Sequence, residues 1–132
     1  YCGRVGCVDA YCSAKLLSDA AGGNLTRFFQ ELDEKNKKFL HIWDEYLEDL
    51  ALTVNNLRNI FDSDVILGGY VGGFIGKYMS DLRKRVLNYS MFDQDVTYLK
   101  GCQVKQEASA AGIAMKFIYN YIESAFLPNK CI

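Results

Sequence analysis

The sequence has no run of apolar residues long enough to span a bilayer, and no segment with the layout of a signal peptide. It has no basic excess either. Fifteen Lys and Arg stand against sixteen Asp and Glu, a net charge of −1. A dedicated nucleic-acid surface shows a clear positive balance, so this composition argues against one. Proline is nearly absent, with Pro128 the only one. Its place fits a final helix that ends before it. Internal repeats and low-complexity stretches are lacking. The cysteines, Cys2, Cys7, Cys12, Cys102 and Cys131, are odd in number and unevenly spaced. That is a poor disulfide framework, and it points to a reducing, cytoplasmic setting.

Half of the 132 residues are hydrophobic, enough for a sizeable core and one domain over 1–132. The chain opens on Tyr1, directly inside its densest motif, Tyr1-Cys2-Gly3-Arg4-Val5-Gly6-Cys7. A domain rarely starts within its own tightest turn, so the expectation is a chain truncated inside that motif. A helical pattern runs from Val8 to about Asp19 and stops at Gly22-Gly23. Asn24 or Thr26 can cap a short helix bearing Phe28, Phe29 and Leu32. The strongest period follows. Phe39, Trp43, Tyr46, Leu50, Val54, Leu57 and Phe61 recur at three- and four-residue steps, which predicts one long helix over about 35–61. Asp62-Ser63-Asp64 breaks it. Val65-Ile66-Leu67 reads as a strand, and Phe74, Tyr78, Leu82 and Val86 as a helix beginning near Phe74. Val96-Thr97-Tyr98-Leu99 reads as a second strand and Gly101-Cys102-Gln103 as a loop. From Ala108 a third major helix turns Ala111, Met115, Ile118 and Ile122 to one face. The expected class is α/β and mostly helical. Two strands alone make a poor sheet, so partners for them are expected from a segment that precedes Tyr1.

Three motifs can carry chemistry. Cys2 and Cys7 are close enough for two thiolates to share a Zn²⁺, with glycines allowing the tight turn. The plain alternative is two small residues buried in a turn. Gly68 and Gly69 begin a glycine turn between strand and helix. There, backbone N–H groups can approach the phosphates of a nucleotide. No Lys-Ser/Thr follows, so this is not a Walker A loop, nor is it G-x-G-x-x-G. The alternative is a turn that needs glycine for its conformation alone. Tyr70 and Phe74 add bulk beside it. The small residues of Ala108-Ser109-Ala110-Ala111-Gly112-Ile113-Ala114 are read as packing residues.

Cys2-Gly3-Arg4-Val5-Gly6-Cys7-Val8-Asp9-Ala10-Tyr11 resembles the C-x-C-G-x-x-G-C-x-E signature of the ROK family, the sugar-responsive repressors and sugar kinases. Asn59-Ile60-Phe61-Asp62-Ser63-Asp64-Val65-Ile66-Leu67-Gly68-Gly69 resembles the family's N-x-F-x-P-x-x-I-x-x-G-G, with Ser63 in place of proline. Glu107 to Ala114 resembles its closing A-x-x-x-G-A-A helix. The resemblance implies the C-terminal lobe of an actin-like (ribonuclease H-like) sugar-kinase fold. It implies a structural zinc with Cys2 and Cys7 as two ligands, the remaining Cys and His lying before Tyr1. The zinc site is therefore incomplete within this chain. His41 lies on the wrong side of the motif to be that ligand and is read as an ordinary helix residue, and Cys12 as a helix residue. Asp9 matches the acidic residue that bonds sugar hydroxyls. It is one methylene shorter than the usual Glu, and its other role is an N-terminal helix charge.

The resemblance also implies the function. The first reading is the effector-binding and dimerisation region of a sugar-responsive transcriptional regulator. It would take a sugar or sugar-phosphate effector, form a homo-oligomer and reach DNA only through a helix-turn-helix outside the chain. The second is the C-terminal lobe of a sugar kinase using ATP and Mg²⁺, with Gly68 and Gly69 on the nucleotide. The third is a helical binding module unrelated to the family. No residue here matches the family's catalytic base, so no enzyme activity is expected of the chain by itself.

Overall fold

The computed structural model describes residues 6–104 and 108–126. The order is α1 Val8–Cys12, α2 Ala14–Ala20, α3 Leu25–Asp33, α4 Lys37–Phe61, β1 Val65–Leu67, α5 Gly69–Ile75, a 3-10 turn Gly76–Tyr78, α6 Met79–Tyr89, β2 Leu99–Gly101 and α7 Ala108–Phe126. The class is thus mostly helical with a small sheet. The helix end expected at Pro128 lies outside the described residues.

Local chemistry sets most boundaries. The helix expected over Val8–Asp19 is two helices, parted at an extended Ser13 whose Oγ accepts from the N–H of Leu16. Gly22 and Gly23 take positive φ, 71° and 90°, and stop α2 where expected. Of the two candidate caps, Asn24 does the work, its side-chain oxygen accepting from the N–H of Arg27 at 3.0 Å. The long helix starts two residues later than expected. Lys35 turns left-handed (φ 59°) and Asn36 caps the helix through the N–H of Lys38. It ends at Asp62, also left-handed (φ 45°).

Two expectations are corrected. The helix placed at Phe74 begins at Gly69, so Phe74 sits near the end of α5. The second strand is Leu99–Gly101 and not Val96–Leu99. Asp95 accepts from both the N–H and the hydroxyl of Thr97, and the N–H of Leu99 donates to the carbonyl of Val96. Those bonds fold 95–99 into a turn, and pairing starts only after it. The strands then run parallel, with Val65 opposite Leu99 and Leu67 opposite Gly101. A parallel pair needs a crossover, here α5 and α6.

The core forms where α4 meets its neighbours. Phe28, Phe29, Phe39 and Trp43 pack edge to face, and Phe29 stacks on Phe74 with ring centres 4.1 Å apart. Leu17, Leu47, Ala51, Val54, Ile75, Leu82, Val86 and Leu99 fill the rest. The predicted stripe of α4 is buried at Phe39, Trp43, Tyr46 and Val54 and half-buried at Leu50, but Leu57 and Phe61 are exposed. Helix α7 buries none of its described residues, the predicted face Met115, Ile118 and Ile122 included. Across the outer sides of α4 and α6, Arg85 bonds Asp44, Glu48 and Asp81, and Tyr89 donates to Glu48.

Phe28→Ala, at a fully buried position, is expected to lower unfolding free energy by about 3–5 kcal/mol, read by urea denaturation. The Tyr89 hydroxyl, and then Arg85, hold the Glu48 carboxyl below its ordinary 4.5. A depressed carboxylate adds stability above the ordinary value and loses it as pH falls through the folded one. The thermal midpoint is therefore expected to drop on acidification below 4.5, and less steeply in Tyr89→Phe.

Candidate functional site

In open α/β folds ligands collect at the carboxyl ends of parallel strands, where loops leave the sheet. Here those ends are Leu67-Gly68-Gly69 and Gly101-Cys102-Gln103. Each opens on a cleft.

The first cleft, about 400 Å³, lies between α1, α4 and the β1–α5 turn. Its walls include Asp9, Cys12, Ser13, Tyr46, Gly68, Gly69 and Tyr70. Two motifs sixty residues apart in sequence, the acidic position after Cys7 and the glycine turn, therefore face one space. Asp9 is exposed, in the first turn of α1. Its carboxylate meets solvent at the cleft wall, suited to accept from ligand hydroxyls.

The glycine turn has steric reasons of its own. Gly69 takes φ 69°, which a side chain would strain. A Cβ on Gly72 would lie 3.2 Å from the carbonyl oxygen of Leu67, closer than ordinary packing. The conformational reading of these glycines thus stands on geometry. Tyr70 is 83% exposed and lines the cleft directly after Gly69. Phe74, expected to crowd the same turn, points elsewhere, onto Phe29 and into the second cleft.

That second cleft, about 610 Å³, runs between α3, α5 with its 3-10 extension, and the end of β2. Phe29, Phe74 and Tyr78 make its apolar wall, and Lys77 pairs with Asp33 at 2.8 Å among its polar residues. Reading the sequence did not find this groove. Its aromatic residues were legible only as core positions, and nothing in their spacing marks an open side.

Of the two candidate zinc thiolates, Cys2 lies outside the described residues. Among the described residues no group of three His, Cys, Asp or Glu is placed to hold a metal. The described residues do not by themselves make a zinc site. His41 is an exposed residue of α4 paired with Glu45 at 3.5 Å, in keeping with its reading as an ordinary helix residue. Cys12 turns to α4, where its sulfur lies 3.8 Å from the hydroxyl of Thr53. Partial burial raises the pKa of that thiol.

Among the described residues no helix is long and apolar enough to cross a membrane. No curated protein and no solved structure matches the chain. The family model of the ROK family matches residues 1–118. That span takes in both motifs that face the first cleft, and the chain belongs to the ROK family.

Proposed function

We propose that residues 1–132 form the effector-binding and dimerisation region of a sugar-responsive ROK transcriptional regulator. They would be a single domain, the C-terminal lobe of an actin-like body. Family membership supports a regulator or a sugar kinase in general terms. The observation that favours the regulator is Tyr70. A large, 83% exposed aromatic ring lines the cleft at the residue following Gly68-Gly69, where close approach of a phosphate calls for a small side chain.

In this reading Asp9 accepts hydrogen bonds from the effector's hydroxyls, and the effector is a sugar or sugar phosphate. Sugar bound there favours one arrangement of the body over another, by the difference in its affinity for the two. DNA contact belongs to a helix-turn-helix on a segment other than residues 1–132, in a cytoplasmic protein. Cys2 and Cys7 supply two thiolates of a structural zinc whose other ligands lie elsewhere. The dimer contact draws support from α7. Ile113, Phe117, Ile118 and Tyr121 are large, apolar and exposed on one broad face of one helix, a surface that water disfavours.

The kinase reading rests on the glycine turn, which opens at the end of a parallel strand. There, Gly68 and Gly69 would border the nucleotide, ATP with Mg²⁺.

Calorimetric titration with glucose, N-acetylglucosamine and xylose tests the sugar site. One of them is expected to bind, and Asp9→Asn to weaken it about tenfold or more, since a charged acceptor is lost. Binding unchanged by Asp9→Asn would sink the assignment. Titration with ATP and Mg²⁺ is expected to give no heat; binding abolished by Gly69→Val would make this a kinase lobe instead. Sedimentation is expected to show a dimer that Phe117→Asp converts to monomer.

A further inference from the structure

The break between α1 and α2 is an exchange of hydrogen-bond partners. In a continuous helix the N–H of Leu16 would donate to the carbonyl of Cys12. Here it donates to the Ser13 hydroxyl at 3.3 Å instead. The released Cys12 carbonyl accepts from the hydroxyl of Tyr46, at 2.9 Å, across 34 residues of sequence. Both partners of the missing helical bond are thus satisfied by side chains, and Ser13 stays extended with ψ 148°.

Tyr46 is a firm anchor. It is 4% exposed, and its ring stacks on Trp43 with centres 5.3 Å apart and planes at 11°. Helix α1 is five residues long and buries none of them. Its Cys12 also contacts Thr53 of α4. Asp9 sits less than one turn before the anchored carbonyl, and Asp9, Cys12, Ser13 and Tyr46 all line the same cleft.

We propose that Tyr46 and Ser13 are positioning residues: by keeping α1 off the axis of α2 they hold Asp9 on the wall of the cleft. This rests on the reading of Asp9 as a sugar contact. Removing the Tyr46 hydroxyl frees the Cys12 carbonyl for Leu16. The helix then runs through Ser13, and α1 swings away with Asp9.

The test combines the same sugar titrations with the ¹³Cα chemical shift of Ser13 in Tyr46→Phe. The expected result is a shift moving from extended to helical values, together with about tenfold weaker sugar binding. Ser13→Ala is expected to weaken binding similarly, and Ser13→Thr, which keeps the hydroxyl, to restore it. A purely structural role would instead lower the thermal midpoint in step with affinity. An unmoved Ser13 shift with full affinity in Tyr46→Phe overturns the proposal. A wild type that binds none of the sugars overturns the role of Asp9 and, with it, the use assigned to the break. The Ser13 shift tells that failure apart from a failure of the geometry.

Discussion

The packed elements from α1 to β2 lean on the inward face of α4. A helix of 25 residues is held by packing more than by propensity, and α4 packs against α1, α2, α3, α6 and β1. Its Phe39, Trp43, Tyr46, Leu47, Ala51 and Val54 form a continuous buried stripe. Each large side chain taken out of water there contributes about 1.5–3 kcal/mol, so the stripe sets where its neighbours must lie. Aromatic edges from α3 close one side, and Leu82 and Val86 of α6 close the other.

The same helix carries the polar ties that fix orientation. Arg85 and Tyr89 reach from α6 to Asp44 and Glu48, setting the rotation of one helix against the other. The carboxylates of these ties are exposed, so the ties specify geometry more than they stabilise it. Arg58 lies over the ring of Tyr98 at 4.6 Å and pairs with Asp93, tying the end of α4 to the loop that enters β2. With Tyr46 and Thr53 holding Cys12, α4 thus touches each segment that builds the first cleft or supports it.

Where the sheet and α7 are concerned, the chain leaves apolar surface open. Ile66, at the centre of β1, is 64% exposed, although parallel strands are ordinarily covered on both faces. Helix α7 carries Ile113, Phe117, Tyr121 and Phe126 into solvent with only Lys116 and Glu123 as charges. Both surfaces are of the kind that other protein covers.

The sequence by itself determined the long helix and the breaker after it, the cap of α3 to within two candidates, the short strand before the glycine turn, and the family. Those follow from period, from single-residue backbone preferences and from short motifs, all of which act locally. It marked Asp9, Gly68 and Gly69 as candidates, but not that they share a cleft. Only the tertiary structure decided that, and it also decided the break at Ser13, the turn ahead of β2 and the exposure of Leu57 and Phe61. At Ser13 and at the start of β2 a local pattern competes with a long-range partner. The Tyr46 hydroxyl takes the Cys12 carbonyl, and pairing with Val65 fixes where β2 begins. A hydrogen bond across 34 residues outweighs the local bond it replaces only because packing has already brought α4 alongside, and periodicity carries no record of that.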